Sequence, residues 1–305
     1  MDFLYFLEGI RMPVLNEFML AITYLGDEIA FLVTALILFW CVDKRQGYYV
    51  LSVGFFGTLA NQFLKITCRV PRPWVQDPEF TILEQAREAA TGYSFPSGHS
   101  QSSVGTFGAI AYTTRNRVVK WLCVAVTILV PLSRMYIGVH FPSDVLVASA
   151  MAIALIVVMR PLVFGNEGKN IPVIFAVGAV LSLAFLAYVE LWPFPEDIDA
   201  HNMESAVKNA YTLLGCLCGL LVAYYFDEKK LHFPVKAVWW AQVLKVVIGL
   251  ALVLAVKEGT RSVLEAICGD IMLARGVRYF LVVVMAGVVW PMSFRWFSKL
   301  GNKGE

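Results

Sequence analysis

Apolar runs long enough to span a bilayer recur along the chain, and they leave few architectures open. About twenty apolar residues cross a bilayer as a helix. Lipid offers no partners to unpaired backbone groups, so such runs must form helices or closed barrels. Nine runs are read, at roughly 28–43, 46–67, 98–114, 118–138, 143–164, 171–192, 207–226, 235–256 and 278–297. The chain is 58% hydrophobic and 16% charged, against about 25% charged in soluble domains. The expected fold class is all-α, a polytopic membrane helix bundle. A formal net charge of +2 is too small to imply a nucleic-acid partner.

Residues 2–25 contain Glu8, Arg11 and Glu17 and read as a helix lying in the interface. Gly26-Asp27-Glu28 reads as a helix start, with the acids near the positive end of the dipole. No cleaved leader is expected, because acidic residues stand where a basic region belongs. The six cysteines do not form a disulfide framework, and no Cys/His spacing resembles a zinc site. Nine spans put the termini on opposite sides. Lys44, Arg45, Arg115, Arg117, Lys120, Lys229, Lys230, Arg295, Lys299 and Lys303 crowd one side, close to span ends. That side is expected to be cytoplasmic, with the N-terminus outside and the C-terminus inside.

Three polar stretches interrupt the oily pattern. The first is Lys65-x6-Arg72-Pro73, the second Pro96-Ser97-Gly98-His99, and the third Ser133-Arg134-x5-His140-x3-Asp144. All three fall at outer span ends. Lys65 and Arg72 share a helical face if the helix continues that far, which Pro71 and Pro73 oppose. Alone, they read as positive flanking of a span. Ser97 caps the next run, and Gly98 lets an anion approach the backbone at a helix N-terminus. Alone, that is an ordinary helix start. His140 and Asp144 share a face if helical there. Otherwise His140 sits just before a helix opened by Pro142. In either case Asp144 accepts a bond from one imidazole nitrogen and leaves the other free. Ionisable groups at a membrane span are costly and mark functional candidates.

In this order and spacing the stretches resemble the type 2 phosphatidic acid phosphatase (PAP2) family, related to vanadium haloperoxidases and glucose-6-phosphatase. Its pattern is Lys-x6-Arg-Pro, Pro-Ser-Gly-His and Ser-Arg-x5-His-x3-Asp. The sequence reads KITCRVPRP, PSGH and SRMYIGVHFPSD, with no departure at a motif position. The resemblance covers about residues 25–165, extending to about 192; no pattern is recognised beyond. It implies a six-helix core, to which the span count adds about three extra C-terminal spans. The divisions are then 1–26, an interfacial helix; 27–192, the catalytic core; and 193–305, an extension without an assigned role.

The resemblance also implies roles: His140 as nucleophile, Asp144 orienting it, and His99 as general acid. Lys65, Arg72, Ser97, Gly98 and Arg134 would hold the phosphate, with no metal and no cofactor. The implied partners are membrane lipids and a lipid phosphate substrate. Phosphatidic acid, phosphatidylglycerol phosphate and a polyprenyl pyrophosphate are the types considered. The expectation is hydrolysis through a phosphohistidine at the extracytoplasmic face of a cell membrane. Alternatives are a soluble phosphate ester as substrate, a lipid phosphotransferase, or a non-enzymatic protein recruiting anionic lipid.

Other features have plainer readings. Residues 74–95, with Asp77, Glu79, Glu84, Arg87 and Glu88, read as a solvated loop with one short helix, or as a lid. Residues 260–274 are amphipathic and read as an interfacial helix or a connection. Lys245 reads as facing the bundle interior or snorkelling. Trp239 and Trp240 read as part of an aromatic belt.

Overall fold

The computed structural model describes residues 1–300 except 88, 89 and 197. Two residues used in the sequence reading, Glu88 and Lys303, lie outside the described residues. Among those described, the regular elements are helices. They are α1 (Asp2–Gly9), α2 (Pro13–Thr23), α3 (Glu28–Ile37), α4 (Lys44–Cys68), α5 (Pro73–Gln76), α6 (Gly98–Thr113) and α7 (Arg117–Tyr136). There follow α8 (Pro142–Phe164), α9 (Ile171–Leu191), α10 (Ala200–Phe226), α11 (Trp239–Gly259), α12 (Arg261–Cys268), α13 (Ile271–Val284) and α14 (Phe294–Phe297).

Their starts follow capping chemistry. The Asn116 side chain accepts from the N–H groups of Val118 and Val119 at the head of α7. Asp270 caps α13 through Leu273 N. Pro13 and Pro142 occupy first helical positions, where a missing N–H costs nothing.

Six segments are long and apolar enough to cross a membrane: α7, α8, α9, Ala200–Leu231, Trp239–Cys268 and Ile271–Phe297. The pair Pro13–Gly26 and Glu28–Val42, bent by 54°, adds a seventh if it is one broken span. The protein is therefore a multi-pass membrane protein. The runs expected at 46–67 and 98–114 are helical but fall outside that set. α6 is only 16 residues long, and α4 carries Asn61, Gln62 and Lys65. Their polar groups point into protein: Asn61, Ser100, Gln101, Ser103 and Thr106 are all buried. The two helices approach closely, and a Cβ on Gly57 would overlap the Gln101 side chain. Hydropathy therefore understates how apolar the outer faces of these helices are.

The chain divides into two compact units. The first comprises Met1–Leu32, Val53–Met159 and Pro193–Ala206. Here the N-terminal region forms two helices, broken before Pro13, and both pack on the chain around the third motif. Met19 joins a cluster with Tyr136, Ile137 and Val139, and Leu4 packs with Phe80 and Ile82. Arg11 donates to the carbonyls of Tyr136 and Thr81 at 3.1 and 3.0 Å. The segment read as a solvated loop is thus partly pinned down, with Phe80, Ile82 and Ala86 buried. Glu79, Glu84 and Arg87 remain exposed.

The second unit comprises Val33–Ser52, Arg160–Trp192 and Val207–Glu305. Its α10 and α13 meet through small residues. A Cβ on Gly215 would lie 2.1 Å from Gly276 O, so only glycine permits that approach. Lys245 is fully buried and faces the interior rather than snorkelling. Trp239 is largely exposed, as an aromatic belt requires. α12 ends at Gly269 in the left-handed region, φ 64°, and α13 starts directly after.

Candidate active site

The site is built within the first unit, and the sequence spacing fixes its skeleton. α4 ends at Cys68, and Arg69 adopts φ 50°, so the helix does not continue to Arg72. Arg72 instead caps α5 in extended conformation, and its side chain turns back inward. Thr91, Gly92 and Val139 offer it carbonyl oxygens, at 2.7 Å to Nη2, 3.1 Å to Nε and 3.0 Å to Nη1 respectively. Lys65, one turn from the end of α4, donates to the carbonyl of Tyr93. The end of the 74–95 segment therefore anchors two motif cations.

The second motif opens α6. Ser97 accepts from Ser100 N at 3.4 Å and from Ser100 Oγ at 2.9 Å. Its own N–H is spent on the Asp144 carbonyl at 3.1 Å, which ties the second motif to the third. Asn61, one turn before Lys65, donates to Pro96 O at 3.3 Å. A Cβ on Gly98 would touch only Asn61 Oδ1, at 4.0 Å. The backbone there is open to a ligand.

The third motif supplies the imidazole. α8 begins at Pro142, so His140 precedes the helix. Asp144 nevertheless reaches it, with Oδ2 3.2 Å from Nδ1. The same oxygen accepts from Phe141 N at 2.9 Å and from the Ser94 hydroxyl. On the other side of the ring, Nε2 lies 3.3 Å from Arg72 Nη1. A guanidinium only donates. Nε2 is therefore the acceptor, and the proton of the neutral ring sits on Nδ1, directed at Asp144. Burial first, then Arg72, Arg134 and Lys65, hold His140 well below the ordinary histidine range. Burial lowers Arg72 to about 10, partly offset by Asp144, so it stays charged at neutral pH.

Arg134 is 1% exposed, Arg72 5% and Lys65 8%. Arg134 Nη1 donates to Thr23 Oγ1 at 2.8 Å, while its buried Nε has no partner. His99 pairs through Nε2 with Asp27 Oδ1 at 2.7 Å. A cleft beside Lys65 is lined by Gln62, Thr91, Tyr93, Asn202 and Ser205 among others. Among the described residues no group of three His, Cys, Asp or Glu is placed to hold a metal.

The structure thus joins His140 to Asp144 and Arg72, and Ser97 to Asp144 through the backbone. Four residues escaped the sequence reading. Asp27 was read as a helix start, Ser94 fell in a loop read as solvated, and Asn61 and Thr23 lay inside apolar stretches. Only Asn61 carried a sequence signal, one helical turn before Lys65.

An all-helical membrane protein with buried cations around a carboxylate-bound histidine defines a class that handles phosphoryl groups. The chain belongs to the PAP2 superfamily, whose model matches residues 45–167. A second model, PAP2 superfamily phosphatase, transmembrane extension, matches residues 211–303. That match supplies the pattern not recognised after residue 192. The chain is similar to phosphatidylglycerophosphatase B of Bacillus subtilis, 31% identical over 50% of this chain and 76% of that protein. It also resembles undecaprenyl-diphosphatase BcrC of Bacillus subtilis, 31% identical over 47% of this chain and 72% of that protein. A wider match is to rat sphingosine-1-phosphate phosphatase 1, 26% identical over 79% of this chain and 58% of that protein. No solved structure matches significantly. The chain is an enzyme, a phosphoric ester or lipid pyrophosphate hydrolase of the PAP2 type.

Proposed function

We propose that the chain hydrolyses the phosphate of a membrane lipid through a phosphohistidine on His140, at the extracytoplasmic face. The observation that carries this is a charge imbalance. Lys65, Arg72 and Arg134 are buried around His140, and among the described residues two carboxylates face these three cations, Asp144 on Lys65 and Arg72 and the partly exposed Asp27 on Arg134. Buried charge without compensation is expensive. A phosphoryl dianion supplies the missing negative charge and an acceptor for Arg134 Nε.

Phosphoryl transfer asks mainly for positioning and charge neutralisation. The cations, the Ser97 hydroxyl and the Gly98 amide hold the phosphoryl oxygens. The lone pair of His140 Nε2 attacks phosphorus, while Asp144 accepts the hydrogen bond from Nδ1–H and stabilises the ring as positive charge develops. His99 protonates the leaving oxygen, and a water then attacks the phosphohistidine. No residue in this scheme requires a metal. The relatives are named for a phosphatidylglycerol phosphate, an undecaprenyl diphosphate and a sphingosine phosphate. A phosphate carried on a lipid is common to all three.

Purified protein is expected to release phosphate from lipid phosphates with EDTA present, and His140→Ala to lower turnover by at least ~10⁴-fold. Full activity in His140→Ala sinks the mechanism. Preference for a water-soluble ester over every lipid phosphate overturns the substrate class. Transfer to a second lipid without free phosphate overturns hydrolysis.

A further inference from the structure

We infer that Asp27 is the positioning residue for His99, so that the site holds two histidine–carboxylate pairs wired through opposite ring nitrogens. The inference rests on the reading of His99 as the acid of this reaction. His140 meets Asp144 through Nδ1 and keeps Nε2 for phosphorus. His99 meets Asp27 through Nε2 at 2.7 Å, which leaves Nδ1 to handle the leaving-group proton.

The pairing is built into the chain around it. Gly26 lies against His99: a Cβ there would sit 2.9 Å from both His99 Cβ and His99 O, and 2.8 Å from Val130 Cγ1. Only glycine allows the 24–26 turn to lie that close, and the next residue is Asp27. His99 is 16% exposed and Asp27 33%, so this pair reaches the outside while His140 and Asp144 are enclosed. Burial is the largest influence on His99 and opposes an imidazolium; the charged groups acting on it are Arg134, Asp27 and Arg72. Two are cations, which oppose an imidazolium. Asp27 is the one group that favours the protonated ring a general acid needs.

With the phosphoryl dianion bound against Arg134 and Arg72, their opposition is offset and His99 carries a proton on each nitrogen. As His140 Nε2 bonds to phosphorus, the P–O bond breaks with its electron pair on the leaving oxygen. That oxygen takes the Nδ1 proton, and His99 is left neutral with Nε2–H still on Asp27. In the second step Nδ1 accepts a proton from the attacking water. The P–N bond then breaks, with its pair returning to His140.

The test compares two leaving groups on the full-length protein. One substrate is a dialkylglycerol phosphate, whose strongly basic alkoxide must be protonated. The other is 4-nitrophenyl phosphate, whose weakly basic nitrophenolate leaves without help. The readout is kcat/KM, which reports the chemistry through formation of the phosphoenzyme. Asp27→Asn and Asp27→Ala are expected to lose ~10²-fold or more on the alkyl ester. On the nitrophenyl ester they are expected to stay within about threefold. Retained nitrophenyl turnover shows that the variants are folded. Equal loss on both esters, or no loss on the alkyl ester, overturns the role of Asp27 alone. Wild-type protein inactive on both esters overturns the hydrolase reading and this inference with it.

Discussion

In the second unit, Lys245 is a buried cation whose needs are met locally. Its Nζ donates to Trp40 O at 2.7 Å and Val235 O at 2.9 Å, and lies 4.3 Å from the centre of the Phe294 ring. Lys44 in the same unit pairs with Asp227 at 2.8 Å and covers the Phe233 ring. In the first unit, Lys65, Arg72 and Arg134 are as deeply placed, but Asp144 serves both Lys65 and Arg72, Asp27 is the carboxylate acting on Arg134, and Arg134 Nε is unpartnered. Both units are made of apolar helices, yet one neutralises its cations and the other keeps positive charge in reserve. A cation that is satisfied holds a fold together, whereas one that is unsatisfied waits for a ligand.

Arg134→Met breaks the comparison most sharply. It is expected to lower kcat/KM by ~10²–10³-fold, since a donor to developing charge is lost. The melting temperature should not fall, because an uncompensated buried charge goes with it. Inorganic phosphate should stabilise the wild type, by about 2.7 kcal/mol at a hundredfold excess over Kd, and should not stabilise Arg134→Met. A melting temperature that drops while phosphate still stabilises would show Arg134 to be structural.

Lys245→Met should behave in the opposite way. It strands two buried carbonyls and is expected to cost about 1–3 kcal/mol of stability. Its kcat/KM should stay near wild type in the same assays. Loss of activity without loss of stability would erase the distinction between the units.

The smallest effect concerns pH. Burial and the neighbouring cations hold His140 below its ordinary range, so its attacking nitrogen stays unprotonated into acid. The acid limb of kcat/KM belonging to His140 should therefore lie below about pH 6.5. Arg72→Leu removes one of those cations, favours the protonated ring, and should move that limb upward. The substrate's own ionisation is unaffected by the substitution, so a limb that does not move argues against His140.

Short-range relations were legible in the sequence. His140 and Asp144 are four apart and Ser97 heads a helix, so local rules found them. The helix break that sends Arg72 inward was readable from Pro71 and Pro73. Long-range relations were not. Asp27 looks like a helix start because it is one; its bond to His99 depends on Gly26 packing, which no local spacing encodes. Ser94 and the carbonyls of Thr91, Gly92 and Tyr93 lie in a segment whose charges suggested solvent, yet they anchor His140's carboxylate and two cations. The apolar runs located both α4 and α6, but not that their polar side chains face protein and leave them outside the set of spans apolar enough to cross a membrane.

The cleft beside Lys65 carries a further consequence. Asn202 and Ser205 on its wall belong to none of the three motifs. A substitution at either therefore alters the surroundings of Lys65 without removing a motif side chain.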